Sequence, residues 1–299
     1  MTAVEAFEQH SDQLFGIAYR MLSSVSDAQD VLQEAYLRLE RQGLGSLEAP
    51  GAWLSTVVSR LCLDRLRSAR VRRETYVGPW LPEPLIQQGL DAAGGAPAGG
   101  AEPDPADRVT LAESVSMAFL VVLESLSPAE RVAFVLHDVF GYAHSEVAVV
   151  VGRSEAACRQ LVSRARRHVR ERRPRFEADA AERDRVADAF LAACAGADLE
   201  ALLMVLDPDV VLRSDGGGLV KAARRPIRGA DRVARFLLAV IRSQPEATSW
   251  STHVNGTRGL VTHRDGRRIA VVALDVVAGR VNGVNIVANP QKLDSTLGG

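Results

Sequence analysis

The stretch that decides the fold is SPAERVAFVLHDVFGYAHSEVAVVVGRSEAACRQLVSRARRHVR, residues 127–170. It starts with Ser127 and Pro128, and Glu130 lies three positions after the serine, which is the capping-box pattern that begins a helix. A glycine interrupts the helical pattern, and a short apolar helix ending at Gly152 follows. This order is typical of a helix-turn-helix: a helix, a short helix, a glycine turn and a further helix.

The helix after the glycine turn has two unlike faces, and Ser154 is its predicted N-cap. One face is an apolar stripe of Cys158, Leu161, Val162, Ala165 and Val169. The other face carries Glu155, Arg159, Gln160, Ser163, Arg166, Arg167 and Arg170. Side chains of these types read base edges and neutralise phosphates in a major groove. The pattern therefore predicts a DNA-binding helix, and a structural helical hairpin without a ligand is the alternative.

Charge is segregated along a chain whose formal net charge is only −1. Residues 1–40 hold seven acids and two bases, whereas residues 60–73 hold six arginines and one acid. A second cluster of eight arginines covers residues 159–175. Two separate basic clusters in a nearly neutral protein indicate two contacts with a polyanion, and solvated helix faces are the plainer interpretation of either one.

Composition excludes several classes of protein. The chain has 299 residues, of which 47% are hydrophobic and 24% charged, so it is long enough for two or three packed domains. Its longest apolar run, residues 117–123, is too short for a membrane helix, and its acidic N-terminus does not resemble a signal peptide. Three cysteines without CxxC spacing indicate free thiols in a reducing compartment. We therefore expect a cytoplasmic protein with no membrane contact.

Proline and glycine divide the chain into parts. Residues 75–110 contain six prolines and several glycines, so no regular element is expected to persist there. Pro174 is expected to end the helix of the second basic cluster. The predicted organisation is a helical domain at 1–74, a linker at 75–110, the helix-turn-helix domain at 111–175, and a domain of different character at 176–299.

The first domain is predicted to be helical throughout. Residues 26–39 form an amphipathic helix with Ser26 as its N-cap, and Asp27, Asp30 and Glu34 make an acidic ridge on its outer side. Compensation of the helix dipole explains an acid at Asp27, in the first turn, but not at Glu34, which lies two turns into the helix. A second helix, residues 52–69, is basic outside, and its predicted inward residues are Trp53, Leu54, Val57, Val58, Leu61 and Leu66. Base stacking is the alternative role for Trp53.

After a helix at 179–195 the pattern changes to period two, with runs at 210–212, 269–277 and 281–287. Gly256, Gly266 and Gly279 are predicted hairpin turns, and residues 231–242 form another amphipathic helix. This order predicts an α+β domain with an antiparallel, curved sheet. The groups available for acid–base chemistry are Asp209, Asp215, Asp275, His253 and His263. Since they form no catalytic motif, we predict no catalytic residue and no enzyme activity.

Together these motifs resemble the extracytoplasmic-function (ECF) group of bacterial RNA polymerase sigma factors, and within it the subgroup with a fused SnoaL-like domain. The resemblance covers nearly the whole chain and rests on DAQDVLQEAYLRL (27–39), GAWLSTVVSRLCLDRLRSARVRRE (51–74), WLPEPL (80–85) and the helix-turn-helix block. It implies a multidomain fold. Two all-α domains, sigma region 2 and helix-turn-helix sigma region 4, are joined by a Pro/Gly-rich linker and followed by a C-terminal α+β SnoaL-like (nuclear-transport-factor-like) cone.

The resemblance also implies function: promoter-specific transcription initiation, with core RNA polymerase and promoter DNA as partners and no cofactor. The polymerase would be bound through the β flap and, at the β′ clamp helices, by Asp27, Asp30, Gln33 and Glu34. Candidate contacts near the −10 element are Arg60, Arg67, Arg70, Arg72 and Arg73. Candidates at the −35 element are Ser154, Glu155, Ala157, Arg159, Gln160, Ser163, Arg164, Arg166 and Arg167.

Two C-terminal segments resemble motifs of the subgroup. Residues 215–221, DGGGLVK, are similar to a DGGGK-like motif with Leu219 in place of lysine, and residues 289–293, NPQKL, are similar to NPDKL with Gln291 in place of an acid. The resemblance implies that the C-terminal domain regulates the chain in cis by contacting the WLPEPL segment. The candidate regulatory residues are Trp80, Leu81, Pro82, Leu85, Asp215, Gly216, Gly217, Gly218, Asn289, Pro290 and Lys292. A hydrophobic staple without regulatory effect is the alternative for that segment.

Two other functions compete with a sigma factor. A ligand-sensing regulator would bind operators through the helix-turn-helix alone and use the SnoaL-like pocket for a small molecule, but it would not need the acidic ridge or the basic segment at 60–73. A pocket enzyme would need the acid–base motif that is missing. A metal site is not expected, because His137 and His144 have no carboxylate or thiol at ligand spacing.

Overall fold

The computed structural model describes residues 2–74, 76–87, 115–172 and 180–294, without the side chains of 69–74, 87, 172 and 180. Backbone contacts divide the chain into two compact units. The described residues of the first unit are 2–74, 115 and 119–172. Those of the second unit are 76–87, 116–118 and 180–294.

The first unit is helical. Its N-terminal half consists of α1 (Ala3–Glu8), α2 (Ser11–Leu22), α3 (Val25–Gln42), a 3-10 turn (Leu44–Ser46) and α4 (Pro50–Glu74). Its other half consists of α5 (Met117–Leu123), α6 (Pro128–Phe134) with a π-helical turn at Val135–Val139, α7 (His144–Val151) and α8 (Glu155–Arg172). The first two residues of α5 group with the second unit.

Two details of the N-terminal helices differ from the sequence-based prediction. Helix α3 is capped by Ser24, whose extended backbone lets its Oγ accept from the Asp27 N–H at 3.1 Å, and Ser26 lies inside the helix. Helix α4 is longer than predicted at both ends. Its earlier start is explained by Pro50, because proline suits the first position of a helix. Of its predicted inward residues, Leu54, Val58 and Leu66 are buried, as are Cys62 and Leu63, whereas Trp53, Val57 and Leu61 are only half-buried.

The predicted helix-turn-helix is confirmed. Ser127 and Glu130 form the capping box, in which the Glu130 carboxylate accepts from the Ser127 N–H at 3.1 Å. Gly152, with φ of +70°, ends α7 in the left-handed conformation that glycine adopts without strain. Ser154 accepts from the Ala157 N–H at 3.3 Å and so begins α8. The whole predicted stripe on α8 is buried.

The second unit contains a seven-stranded sheet in the order β1-β4-β5-β6-β7-β2-β3. The strands are β1 (Ile86–Gln87), β2 (Leu206–Asp215), β3 (Ile227–Arg228), β4 (Thr248–Val254), β5 (Thr257–Arg264), β6 (Arg267–Val277) and β7 (Arg280–Val287). The helices are α9 (Ala180–Ala195), α10 (Leu199–Val205), α11 (Ala230–Arg242) and α12 (Pro290–Leu293). The predicted α+β architecture of this domain is confirmed.

One part of the sheet prediction was wrong. The sheet was expected to be antiparallel, but β2 pairs with β7 in parallel. The reason is that α11 carries the chain across the sheet before β4, β5, β6 and β7 run as successive hairpins, which sets the direction of β7 relative to β2. The predicted hairpin turns are confirmed: at Gly256, Gly266 and Gly279 φ is +76°, +72° and +71°, and the residue before each glycine also has positive φ.

At β6 both faces of the sheet are buried, but by different means. Val272, Leu274 and Val276 of β6 belong to the hydrophobic core that the sheet forms with α9, α10 and α11. Because side chains alternate along a strand, Ala273 and Asp275 lie on the other face, and both are buried. We refer to this other face as the linker face, because the groups described below that contact it come from residues 76–87, 116–118 and α12.

Candidate functional sites

The acidic ridge on α3 is partly neutralised within its own unit. Arg65 of α4 lies 2.9 Å from the Asp27 carboxylate and 3.3 Å from that of Asp30, and Arg38 pairs with Glu34 at 2.5 Å. Asp30 is the most exposed of the three acids, with 63% of its side chain accessible, and Gln33 is also exposed. Spacing along the helix could not show Arg65, since it lies 38 and 35 positions away from its partners.

Two of the five arginines proposed near the −10 element can be placed by their side chains. Arg60 is exposed and donates to the carbonyl oxygen of Val149 at 2.9 Å, and Arg67 pairs with Asp64 at 3.1 Å. The other three, Arg70, Arg72 and Arg73, lie on α4, but their side chains are outside the described residues.

The polar side of α8 is exposed along its length. Ser154, Gln160, Ser163 and Arg167 are exposed, and Ala157 is half-buried. Other members have partners: Arg159 pairs with Glu155 at 2.7 Å, Arg164 with Glu130 at 3.3 Å, and Arg166 with Asp138 at 2.5 Å. The structure thus brings all nine −35 candidates to one helix and its cap. Three of its arginines are paired with acids, and Arg167 is exposed.

Arg131 of α6 joins the two helical halves of the first unit. Its guanidinium is 2% exposed, pairs with Glu124, and donates to Ser23 Oγ at 2.5 Å and to the Arg20 carbonyl oxygen at 3.1 and 3.3 Å. Burial lowers the pKa of Arg131. Arg20 in turn lies 5.3 Å from the centre of the Phe140 ring. Local sequence pattern could not predict this contact, because an arginine in a first helical turn is usually solvated.

Replacing Arg131 with Met is expected to lower the free energy of unfolding of the first unit by about 3–5 kcal/mol. The methionine keeps the apolar stem but leaves the buried groups around Ser23 and Glu124 without their donor. Urea unfolding followed by circular dichroism measures the change. Arg167→Met, on the exposed side of α8, is the matched control. A loss no larger for Arg131→Met than for the control would contradict the assigned role.

In the second unit, Asp215 is the centre of a buried polar cluster on the linker face. Its carboxylate accepts from Lys292 Nζ at 2.7 Å, from the Leu81 N–H at 2.9 Å and from the Tyr76 hydroxyl at 2.6 Å. Lys292 Nζ also donates to the Leu81 carbonyl oxygen and lies 4.0 Å from the centre of the Trp80 ring. One ion pair therefore holds both main-chain polar groups of Leu81.

The two C-terminal motifs meet around this cluster. Asn289 caps α12 by accepting from the Gln291 N–H at 3.1 Å, Pro290 follows at the first position of that helix, and the Asn289 amide donates to the Tyr76 hydroxyl at 2.9 Å. Gly217 has φ of +62°, and a Cβ there would lie 2.4 Å from Asn289 Nδ2. The glycine is needed because the two motifs touch at this point. Gly216 and Gly218 flank it in the same turn.

The WLPEPL segment continues from this cluster to the edge of the sheet. Residues 81–84 are buried, and Trp80 and Leu85 are half-buried. The Leu85 N–H donates to Asn255 Oδ1 at 3.1 Å, and the Asn255 N–H donates to the Leu85 carbonyl oxygen at 2.8 Å. Strand β1 then pairs with β4. Residues 86–87, directly after the segment, are thus added to the sheet as an edge strand, a common way of recognising extended peptides.

A second buried carboxylate lies on the linker face. Asp275 of β6 accepts from Asn285 Nδ2 at 2.9 Å and from the Ala118 N–H. Burial raises the pKa of Asp275 to about 6, and Asn285 and Arg213 oppose this shift. In the sequence, Asp275 stood out only as a group available for acid–base chemistry. The structure surrounds it instead with an amide side chain and the main chain of residue 118.

An open cavity of about 390 Å³ lies beside the glycine turn and is lined by Val77, Leu219, Lys221 and Arg224 among others. Among the described residues, no group of three or more His, Cys, Asp or Glu is arranged to hold a metal. In the same part of the chain, no helix is long and apolar enough to cross a bilayer.

Comparison with known proteins identifies the family. The Sigma-70 region 2 profile matches residues 6–72, and the profile of Sigma-70, region 4, matches residues 116–169. ECF RNA polymerase sigma factor SigJ of Mycobacterium tuberculosis (strain ATCC 25618 / H37Rv) is 41% identical over 300 residues, covering 97% of this chain and 92% of that protein. The chain belongs to the ECF RNA polymerase sigma factors. The resemblance stated from its motifs is confirmed.

Two further similarities cover this sigma factor from end to end. A probable ECF RNA polymerase sigma factor SigI of M. tuberculosis (strain CDC 1551 / Oshkosh) is 36% identical, covering 98% of this chain and 97% of the relative. The crystal structure of the M. tuberculosis ECF sigma factor SigJ matches with a TM-score of 0.75 and 39% identity, covering 98% of each chain. The C-terminal domain is therefore shared with these relatives.

Family membership decides between the functions considered above. The protein is a transcription-initiation factor that acts with core RNA polymerase and promoter DNA, and it is not an enzyme. A stand-alone ligand-sensing regulator is not favoured, since the chain has both sigma regions and full-length sigma-factor relatives.

Proposed function

We propose that the C-terminal unit regulates this sigma factor in cis by gripping the linker at residues 80–85. The observation that carries the proposal is the buried Asp215–Lys292 pair, which binds both the N–H and the carbonyl oxygen of Leu81. These contacts recognise the backbone of the linker, while the Trp80 ring covers the ammonium group.

The stability of the buried ion pair in the C-terminal unit depends on whether the linker is bound. A buried ion pair is stable only when hydrogen bonds satisfy its remaining donors and acceptors. If residues 80–85 leave, Asp215 and Lys292 lose partners in a site from which water is largely excluded. The linker therefore leaves only when something else compensates for that loss. A hydrophobic staple would not need a buried charge pair, so this observation favours a switchable contact over passive anchoring.

The surfaces toward the transcription machinery are part of the same proposal. The ridge of Asp27, Asp30, Gln33 and Glu34 binds the β′ clamp helices, and the region 4 domain binds the β flap. The α4 arginines contact DNA near the −10 element. Helix α8 reads the −35 element, and the residues nearest the base edges are Glu155, Ala157, Arg159, Gln160 and Ser163. We keep the domain limits 1–74, 75–110, 111–175 and 176–299 and a cytoplasmic location. A small-molecule ligand of the C-terminal domain is a further modulator, for which the cavity beside the glycine turn offers space.

Packing within the first unit indicates that this is a resting arrangement. Elements centred roughly 25 base pairs apart lie about 85 Å apart along straight B-DNA. Yet Arg60 and Arg131 connect the region 2 helices directly to the region 4 helices. Since one packed unit does not span that distance, regions 2 and 4 separate when both elements are engaged.

In vitro transcription with core RNA polymerase tests the regulatory proposal. Deleting residues 177–299 is expected to change transcript yield severalfold without removing polymerase binding, because the grip on residues 80–85 is lost while the acidic ridge stays intact. Pull-down of core polymerase in the same preparation checks binding. Equal yields from the full-length and shortened proteins would reduce the C-terminal unit to a passive anchor.

A further inference from the structure

The linker face of the second unit contacts two separate stretches of chain. One is residues 76–87, discussed above. The other is residues 116–118, which group with the second unit although residues 119–172 group with the first. Ser116, Met117 and Ala118 are 6%, 2% and 6% exposed, so this short stretch is as deeply buried as a core element.

A buried carboxylate holds this second stretch by its backbone. The Ala118 N–H donates to the Asp275 carboxylate, which Asn285 of β7 also contacts at 2.9 Å. Ser116 lies beside Asp275 at a small cleft that Arg183 and Arg258 also line. Asn285 is fully buried, and its Oδ1 has no hydrogen-bond partner among the described residues. The site thus resembles the one at Asp215, in which a buried carboxylate also accepts a main-chain N–H.

We propose that Asp275 is a second linker clamp, which binds the backbone of residues 116–118 at the entrance to region 4 and must open when the sigma factor binds core polymerase. The clamp deepens the proposed cis regulation and rests on it. The grip at Asp215 holds the start of the linker, and the clamp at Asp275 holds its end. With both closed, the residues on either side of segment 88–115, Gln87 and Ser116, belong to the same unit.

Covalent geometry shows why the second clamp matters. Fully extended, residues 88–115 reach at most roughly 90–100 Å. That length is comparable to the distance of about 85 Å between the two promoter elements. While residues 116–118 are bound at Asp275, both flanks of this segment are held by the same unit, so its length cannot contribute to separating region 4 from region 2. Releasing the clamp makes it available.

Hydrogen exchange of the full-length protein tests the clamp directly. In Asp275→Ala, the amides of residues 116–118 are expected to exchange about tenfold faster, because a charge-assisted hydrogen bond is lost. Exchange at residues 81–85 reports separately on the grip at Asp215. Asp209→Ala, which removes an exposed carboxylate from the same sheet, is the matched control and is expected to change neither segment.

A second variant changes the donor of this hydrogen bond, the Ala118 N–H. Ala118→Pro removes the donor N–H within the first turn of α5, where no intrahelical hydrogen bond is lost. Both variants are expected to bind core polymerase about tenfold more tightly than the wild type, since opening the clamp no longer opposes binding. In the wild-type protein, adding core polymerase is expected to accelerate exchange at residues 116–118.

The outcomes separate this inference from the proposed function. Slow exchange at 116–118 in Asp275→Ala, or in the wild-type holoenzyme, would overturn the second clamp. Unchanged polymerase affinity in both variants would do the same. If residues 81–85 become exposed on polymerase binding while 116–118 stay protected, the grip at Asp215 stands and only the clamp at Asp275 falls. Circular dichroism spectra and unfolding curves exclude a variant that fails to fold.

Discussion

Replacing Lys292 with Met is expected to lower the free energy of unfolding by about 3–5 kcal/mol. The same substitution is expected to free the linker from the C-terminal unit. The substitution leaves the Asp215 carboxylate fully buried without its cation, and the Leu81 carbonyl oxygen loses its donor. Urea unfolding monitored by tryptophan fluorescence is the measurement, and Trp80, which lies against the ammonium group, reports on the site itself.

The chain offers an unusually close control for this substitution. Lys221 is the only other lysine in the sequence, lies just beyond the same glycine turn, and is exposed. Lys221→Met is expected to change stability by less than about 0.5 kcal/mol. Adding Asp215→Leu to Lys292→Met is expected to recover part of the loss, because removing both charges is less costly than leaving one unpaired. Equal effects of the two lysine substitutions would rule out the ion pair as the grip.

The second large effect concerns polymerase binding. The double variant Asp30→Arg/Glu34→Arg is expected to weaken association with core RNA polymerase at least 100-fold, because two charges reverse on the surface proposed to meet the β′ clamp helices. The new arginines also lie close to Arg65 and Arg38, so the positive charge is not masked locally. Fluorescence anisotropy with labelled sigma factor measures the affinity.

Folding and charge are controlled separately in that experiment. Glu48→Arg reverses an exposed charge in the same unit that lies beyond the end of α3 and outside the ridge. It is expected to leave binding nearly unchanged. Far-ultraviolet circular dichroism is expected to be the same for all variants, because exposed ion pairs contribute little to stability. If the double variant still co-purifies with core polymerase as the wild type does, the ridge is not the binding surface.

Much of the fold could be read from local sequence pattern. Capping at Ser127 and Ser154, the stripe on α8 and the paired positive-φ turns of the sheet depend on residues within a few positions of one another. Errors arose where a local pattern was ambiguous. Ser24 and Ser26 both suit a helix cap, and only the backbone conformation shows which one serves. The direction of β2 relative to β7 depends on a crossover helix, which no local signal encodes.

For the sites, the sequence by itself determined which segments carry chemistry: the acidic ridge, the two arginine clusters, WLPEPL and the two C-terminal motifs. Only the tertiary structure decided the partners within them. Asp215 meets Lys292 across 77 positions, Arg131 meets Ser23 across 108, and Asp275 meets the backbone of Ala118. The physical reason is that a cap or a stripe reflects neighbours along the chain, whereas a buried charge is stabilised by whichever distant group the fold brings within hydrogen-bond reach.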